Sequence, residues 1–209
     1  MPKKAKFGML LLIAAFAVAI GELAVKSYQP RPRYLGKPVS YWLSEGFSLP
    51  HSYDESPPAE LAFRSMGSNA VPFLTTKLGK TDGALQDMYL RYYPKLPLKL
   101  RKQLPRPFSA DELRGRAILA LTLIGPPAKP AIPSLLNVLA NETNGLRRAN
   151  AIFCLDAIDN GAYQNEVVDA WLRARSERDP MVAAAATSVL NRRFPLGPGV
   201  LKFRDEITR

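Results

Sequence analysis

Across 209 residues the chain has one cysteine and one histidine. A lone cysteine, Cys154, excludes an intramolecular disulfide and any metal cluster held by several thiolates. It sits in the apolar run AIFCL (151–155), where a small buried hydrophobe is expected rather than a reactive thiol. The lone histidine, His51, lies among turn residues in LPHSYDESPP (49–58). With no second histidine, cysteine pair or ordered carboxylate beside it, it reads as a solvated loop residue and founds neither a metal site nor a Ser-His-Asp triad. A glycine-rich phosphate loop, a paired-histidine helix, CxxC and GxSxG are all missing as well. The acidic residues are scattered. Asp111 and Glu112 stand at a helix start and Asp179 at a cap, while Asp156 and Asp159 form a local acidic spot of solvated or capping carboxylates. No catalytic residue, cofactor or metal ligand is assigned, and the chain reads as a non-enzyme.

Acidic side chains are also few in number, 18 against 29 Lys and Arg, leaving a net charge of +11. Apolar residues make up 47% of the chain, enough for an ordered core. Only one long uncharged apolar run occurs, FGMLLLIAAFAVAI at 7–20, headed by Lys3, Lys4 and Lys6. Extended to residue 25 it is about 28 Å long as a helix, with Glu22 near its far end. Residues 1–26 therefore read as a signal anchor touching the membrane through 7–25, with a cleaved secretory signal as the alternative. The lysine head places the rest of the chain outside the cytoplasm, either as a single-pass membrane protein or, after cleavage, as a secreted or periplasmic one. Lys26, Arg31 and Arg33 beyond the run weaken that asymmetry.

Residues 27–55 read as a linker and a short leader helix with Trp42 and Leu43 on its buried side. From 56 to 195 the pattern is helical and repeats. The run RAILALTLI (116–124) aligns with NAIFCLDAI (150–158) thirty-four residues on, matching Ala117 to Ala151, Ile118 to Ile152, Leu121 to Leu155 and Ile124 to Ile158. A further shift of thirty-five puts Ala186 and Leu190 in the same roles. Gly67 and Gly125 end first helices in the left-handed region. Second helices begin with a proline in their first turn, at 70–78 and 131–139, where the lost amide has no intrahelical partner. EVVDAWLRAR (166–175) supplies another second helix, with Val167, Ala170, Trp171 and Ala174 on one face. Ser109 with Glu112 forms a capping box, and Asp179-Pro180 opens the last helix. Residues 196–209 are a C-terminal tail.

The junction LTLIGPPAKPAIPSLL (121–136), and in weaker form MGSNAVPFLTTKL (66–78), resembles HEAT repeats of the short bacterial type named after phycobilisome lyases. GKPVSYWL (36–43) is similar to leaders found before such repeats in membrane-anchored bacterial proteins. The resemblance implies an all-α fold, a right-handed α-solenoid of antiparallel helix pairs after an N-terminal hydrophobic helix. It also implies a protein-binding scaffold whose second helices line the concave side, with Arg173 and Arg175 as partner-binding anchors. The enzyme reading it raises, bilin attachment, finds no residues to which a lyase role transfers.

An insertion at 80–108 interrupts the repeats. It carries Arg91, Lys95, Lys99, Arg101, Lys102 and Arg106 with no acidic residue between 91 and 106, and Tyr89, Tyr92, Tyr93 and Phe108 are interleaved. Cations with aromatics suit a polyanion, and anionic lipid is preferred over nucleic acid in an exported chain. The plainer expectation is that the tyrosines and leucines pack down and the charges are solvated.

Overall fold

The structure, a computed structural model, describes residues 32–48, 57–160 and 165–195. The apolar run at 7–25, His51, the turn at 161–164 and the tail at 196–209 lie outside the described residues. The unit Arg33–Arg209 is mostly helical, with one hairpin of two-residue strands among its described residues.

That hairpin pairs β1 (Arg33–Tyr34) with β2 (Lys37–Pro38), where the sequence suggests only an extended spacer. Leu35 and Gly36 both take positive φ, 47° and 73°, the geometry of the tight turn that matches strand twist. The hairpin leads into α1 (Val39–Ser44), which buries Val39, Trp42 and Leu43. The Trp42 indole N–H donates to the Tyr34 carbonyl at 3.1 Å, so the hairpin supplies the polar partner that a buried tryptophan needs.

Three helix pairs and a closing helix come next, and the insertion lies between the first pair and the second. The helices of the first layer are α2 (Pro58–Met66), α6 (Ala110–Ile124), α8 (Gly145–Asp159) and α10 (Pro180–Arg193). Those of the second are α3 (Val71–Leu78), α7 (Ile132–Asn141) and α9 (Asn165–Arg175). The insertion contributes α4 (Ala84–Tyr92) and α5 (Leu98–Arg101). Contacts are mostly between neighbours: α2 to α6 to α8 to α10 along one layer, α3 to α7 to α9 along the other, and each second-layer helix against the first-layer helix after it.

The packing derives from the spacing of small and branched residues. Ala117, Leu121 and Ile118 on α6 and Ala151, Ile152 and Leu155 on α8 are essentially fully buried, as are Leu135 on α7 and Trp171 on α9. Burying each such leucine or isoleucine contributes roughly 1.5–3 kcal/mol, and the alanines between them let helix axes approach. All these residues belong to one continuous cluster running from Val39 to Leu190.

The turns explain the prolines. Gly125 ends α6 at φ 69°, ψ −139°, and Gly67 ends α2 at φ 52°, ψ −137°. Positive φ is as expected, but ψ differs from the left-handed helical value and lies in a region essentially reserved for glycine. A 3-10 turn, Pro126–Ala131, then carries the chain into α7, where Pro133 sits in the first turn. The third pair lacks the Gly-Pro turn, and Asn160 at φ 45°, ψ 39° ends α8 instead. Among the described residues no helix is long and apolar enough to cross a membrane, and the run at 7–25 lies outside them.

Candidate functional surfaces

Three features stand out: a cleft in the second layer, the basic insertion and a repeated arginine contact. The cleft lies between α7 and α9 and has a volume of about 500 Å³. Its apolar lining is Leu136, Leu139, Ala140 and Ala170, and its charged rim is Glu166, Asp169, Arg173, Arg148 and Glu177. The rim carries both signs, which suits a protein segment better than a polyanion. Arg173, one of the two expected partner-binding residues, stands at this rim and is exposed. Arg175 is also exposed but does not line the cleft.

The insertion is fastened at its base. The Gln86 amide donates to the Phe108 carbonyl at 2.8 Å, the Tyr89 hydroxyl to the Pro105 carbonyl at 2.6 Å and the Tyr93 hydroxyl to the Arg101 carbonyl at 3.1 Å. Asp82 accepts from the Ala110 amide at 2.7 Å, and buried Phe108 lies under the Arg106 and Arg116 guanidinium groups. Tyr89 and Tyr93 thus turn toward the insertion's own backbone. Most of the leucines do not. Leu85, Leu98, Leu100 and Leu104 are exposed, Leu85 at 79% and Leu98 at 60%, as are Met88 and Tyr92, while Leu90 and Leu96 are half-buried. The physical reason is that four prolines break the segment into short helices, joined by side-chain bonds to backbone carbonyls, whose outer faces stay uncovered. Among the expected polyanion ligands, Arg91, Lys95, Lys99 and Lys102 are exposed, Arg101 is half-buried and Arg106 reaches Glu112 at 3.6 Å.

Arginine contacts missed by the sequence reading hold the pairs together. Arg114, on α6, donates through Nε to the Leu78 carbonyl at the end of α3 (3.0 Å), and also bonds the Lys80 carbonyl and the Glu142 carboxylate. Arg148, on α8, donates to the Leu139 carbonyl near the end of α7 at 2.7 Å and to Glu177 at 2.6 Å. Arg116 does the same for the end of α1 through the Leu43 and Ser44 carbonyls. Each guanidinium satisfies helix-end carbonyls that have no intrahelical partner. The signal was available: Arg114 and Arg148 correspond under the thirty-four-residue shift.

The acidic spot is not solvated. Asp156 is buried, and it accepts from Arg193 Nε at 2.5 Å and from Arg192. Asp159 is buried too. Asp156 lies where α8 meets α10, so its carboxylate serves the packing of the last helix. Asp111 pairs with Arg147 at 2.9 Å, whose guanidinium bond holds the Asp111 carboxyl below the usual range. Burial pushes the Cys154 thiol up to about 12 and the Thr122 hydroxyl offsets this only in part, so the thiol is inert, as expected. Ser109 accepts from the Glu112 amide at 3.0 Å, and Asp179 from the amides of Met181 and Val182. Asn144 likewise caps α8, a start that Asn144-Gly145 before an apolar run could have signalled. Among the described residues no cluster of three or more metal-ligating side chains occurs.

Compared with family models, curated proteins and solved structures, the chain matches none.

Proposed function

We propose that this chain is a non-enzymatic helical-repeat scaffold, tethered to a membrane through residues 7–25, that captures a protein partner on its second helix layer. The observation that carries the reading is the cleft between α7 and α9, an apolar floor inside a rim of both charges. On this reading the helix pairs form a right-handed α-solenoid of HEAT type. The support is that successive helices pack mainly on their neighbours in both layers and that equivalent arginines recur from pair to pair. Such stacks present their second helices on the concave side, which puts Arg173 at the docking surface, with Arg175 beside it.

A reporter active only outside the cytoplasm, fused after Arg209, tests the tether. Activity in the membrane fraction supports it, activity in the soluble fraction means a cleaved signal, and a stable inactive fusion places the repeats in the cytoplasm. Neutralising Lys99, Arg101 and Lys102 tests the capture surface: partner binding through the cleft survives that change, and binding of a polyanion through residues 91–106 does not.

A further inference from the structure

We propose that the insertion between α3 and α6 is a bilayer-docking element that seats on an anionic lipid surface, dipping its leucines among the acyl chains while its cations meet the headgroups. The proposal rests on the side-chain arrangement of the insertion and is independent of whether residues 7–25 remain attached or whether the cleft captures a protein.

Two properties coincide there. The first is a group of exposed apolar side chains. Leu85, Met88 and Tyr92 recur at helical spacing along α4, and Leu98, Leu100 and Leu104 lie on and after α5, all exposed. The second is one-sided charge. Arg91, Lys95, Lys99, Arg101 and Lys102 are interleaved with these residues, and among the described residues none of the five makes an ion pair. Of the acidic residues of the segment, Asp82 is taken up by the Ala110 amide, and exposed Asp87, on α4 between Leu85 and Met88, comes before the first of the five cations. Exposed leucines beside unpaired cations match the water–lipid boundary, where apolar side chains leave water and cations approach lipid phosphates.

The same observations disfavour the other occupants. Nucleic acid is held by stacking on aromatic faces, but Tyr89 and Tyr93 have their hydroxyls bonded to backbone carbonyls, the one exposed ring of the insertion, Tyr92, has the Lys95 ammonium over it at 5.3 Å, and leucine offers no stacking surface. A second copy of the chain would bring two like-charged insertions face to face, at a Coulombic cost in a partly dried interface.

The test uses the full chain. Cys154 is fully buried, so a Leu98→Cys variant takes a polarity-sensitive fluorophore at one position only. The same label on Leu119→Cys, exposed on α6, is the control. With phosphatidylcholine vesicles containing phosphatidylglycerol at low salt, the label at 98 shifts to the blue and is quenched by brominated acyl chains, while the label at 119 is unchanged. Pure phosphatidylcholine, molar salt, or the added changes Lys95→Gln, Lys99→Gln and Lys102→Gln remove the shift. Losing three cations near an anionic surface weakens docking by about a hundredfold. Three results would overturn the proposal: an aqueous spectrum from position 98 while the chain co-sediments with the anionic vesicles, a concentration-dependent shift without lipid, or a shift with single-stranded oligonucleotide and none with vesicles.

Discussion

Arg148 stands to Leu139 and Glu177 as Arg114 stands to Leu78 and Glu142. Each arginine, in the first turn or so of its first-layer helix, bonds a carbonyl at the end of the preceding second-layer helix and a glutamate beyond the next one. One side chain thereby ties its own helix to the ends of the second-layer helices on either side of it, and the same contact recurs from one pair to the next.

The Arg114→Met variant is expected to lose about 3 kcal/mol of stability, because it strands a nearly buried Glu142 and leaves the Leu78 carbonyl without its partner. In a chain of this size that lowers Tm by roughly 6–12 °C. The double variant Arg114→Met, Glu142→Gln recovers part of the loss, since the uncompensated charge is gone. Thermal melts of the four proteins of this double-mutant cycle measure the coupling.

Acid should weaken the same contacts, with a definite sign. For Glu142, burial pushes the carboxyl pKa up, but the amides of Asn144 and Thr143 and the Arg114 guanidinium together outweigh it, and the net direction is below the ordinary 4.5. A carboxyl lowered by folding contributes stability that is fully present above its unfolded value and is lost as pH falls through the folded one. Stability should therefore drop on going below about pH 4.5, and Glu142→Gln should flatten that drop. Asp111 shifts the same way but is half exposed, so solvent screens its share. Urea midpoints across the acid range decide the matter.

Gly125 and Gly79 should respond oppositely to alanine. Gly125 is at φ 69°, which L side chains rarely adopt, so Gly125→Ala costs about 1–3 kcal/mol although its surroundings are nearly open. Gly79 has φ −95° and open space around it, so Gly79→Ala is neutral or slightly stabilising. Chemical denaturation of both single variants checks the contrast.

Cys154 is expected to resist alkylation in the folded protein and to react stoichiometrically once the chain is unfolded. It is fully buried, its sulfur donates to the Ile118 carbonyl at 3.4 Å, and its thiol is pushed up to about 12. Mass shifts after iodoacetamide treatment, with and without denaturant, read this directly.

Much of the helical framework was legible from local signals. Ser109 and Asp179 announce helix starts, Gly67 and Gly125 the ends, and the alignment of 116–124 with 150–158 gives two equivalent first helices. The features that escaped depend on contacts between residues far apart in the chain. Asp156 looks like a surface carboxylate until Arg192 and Arg193, more than thirty positions later, fold back onto it. The hairpin before α1 hides because Leu35 is an unusual residue for positive φ. The insertion leucines mislead in the other direction, since hydropathy says that an apolar residue favours burial, not whether a neighbour exists to cover it. Arg173 is a candidate contact from the repeat pattern alone, and the cleft beside it is seen only in the structure.

Whether a partner is held on the second layer is decided by photo-crosslinking in intact cells of the source organism. A photoreactive amino acid replaces Arg173 at the cleft in one protein and Leu119 on the first layer in another. A partner seated in the cleft gives one discrete heterologous adduct from position 173, absent from position 119 and lost when Leu136→Arg fills the cleft floor. Equal adduct patterns from both faces, or an adduct at 173 that survives Leu136→Arg, would contradict capture on that layer.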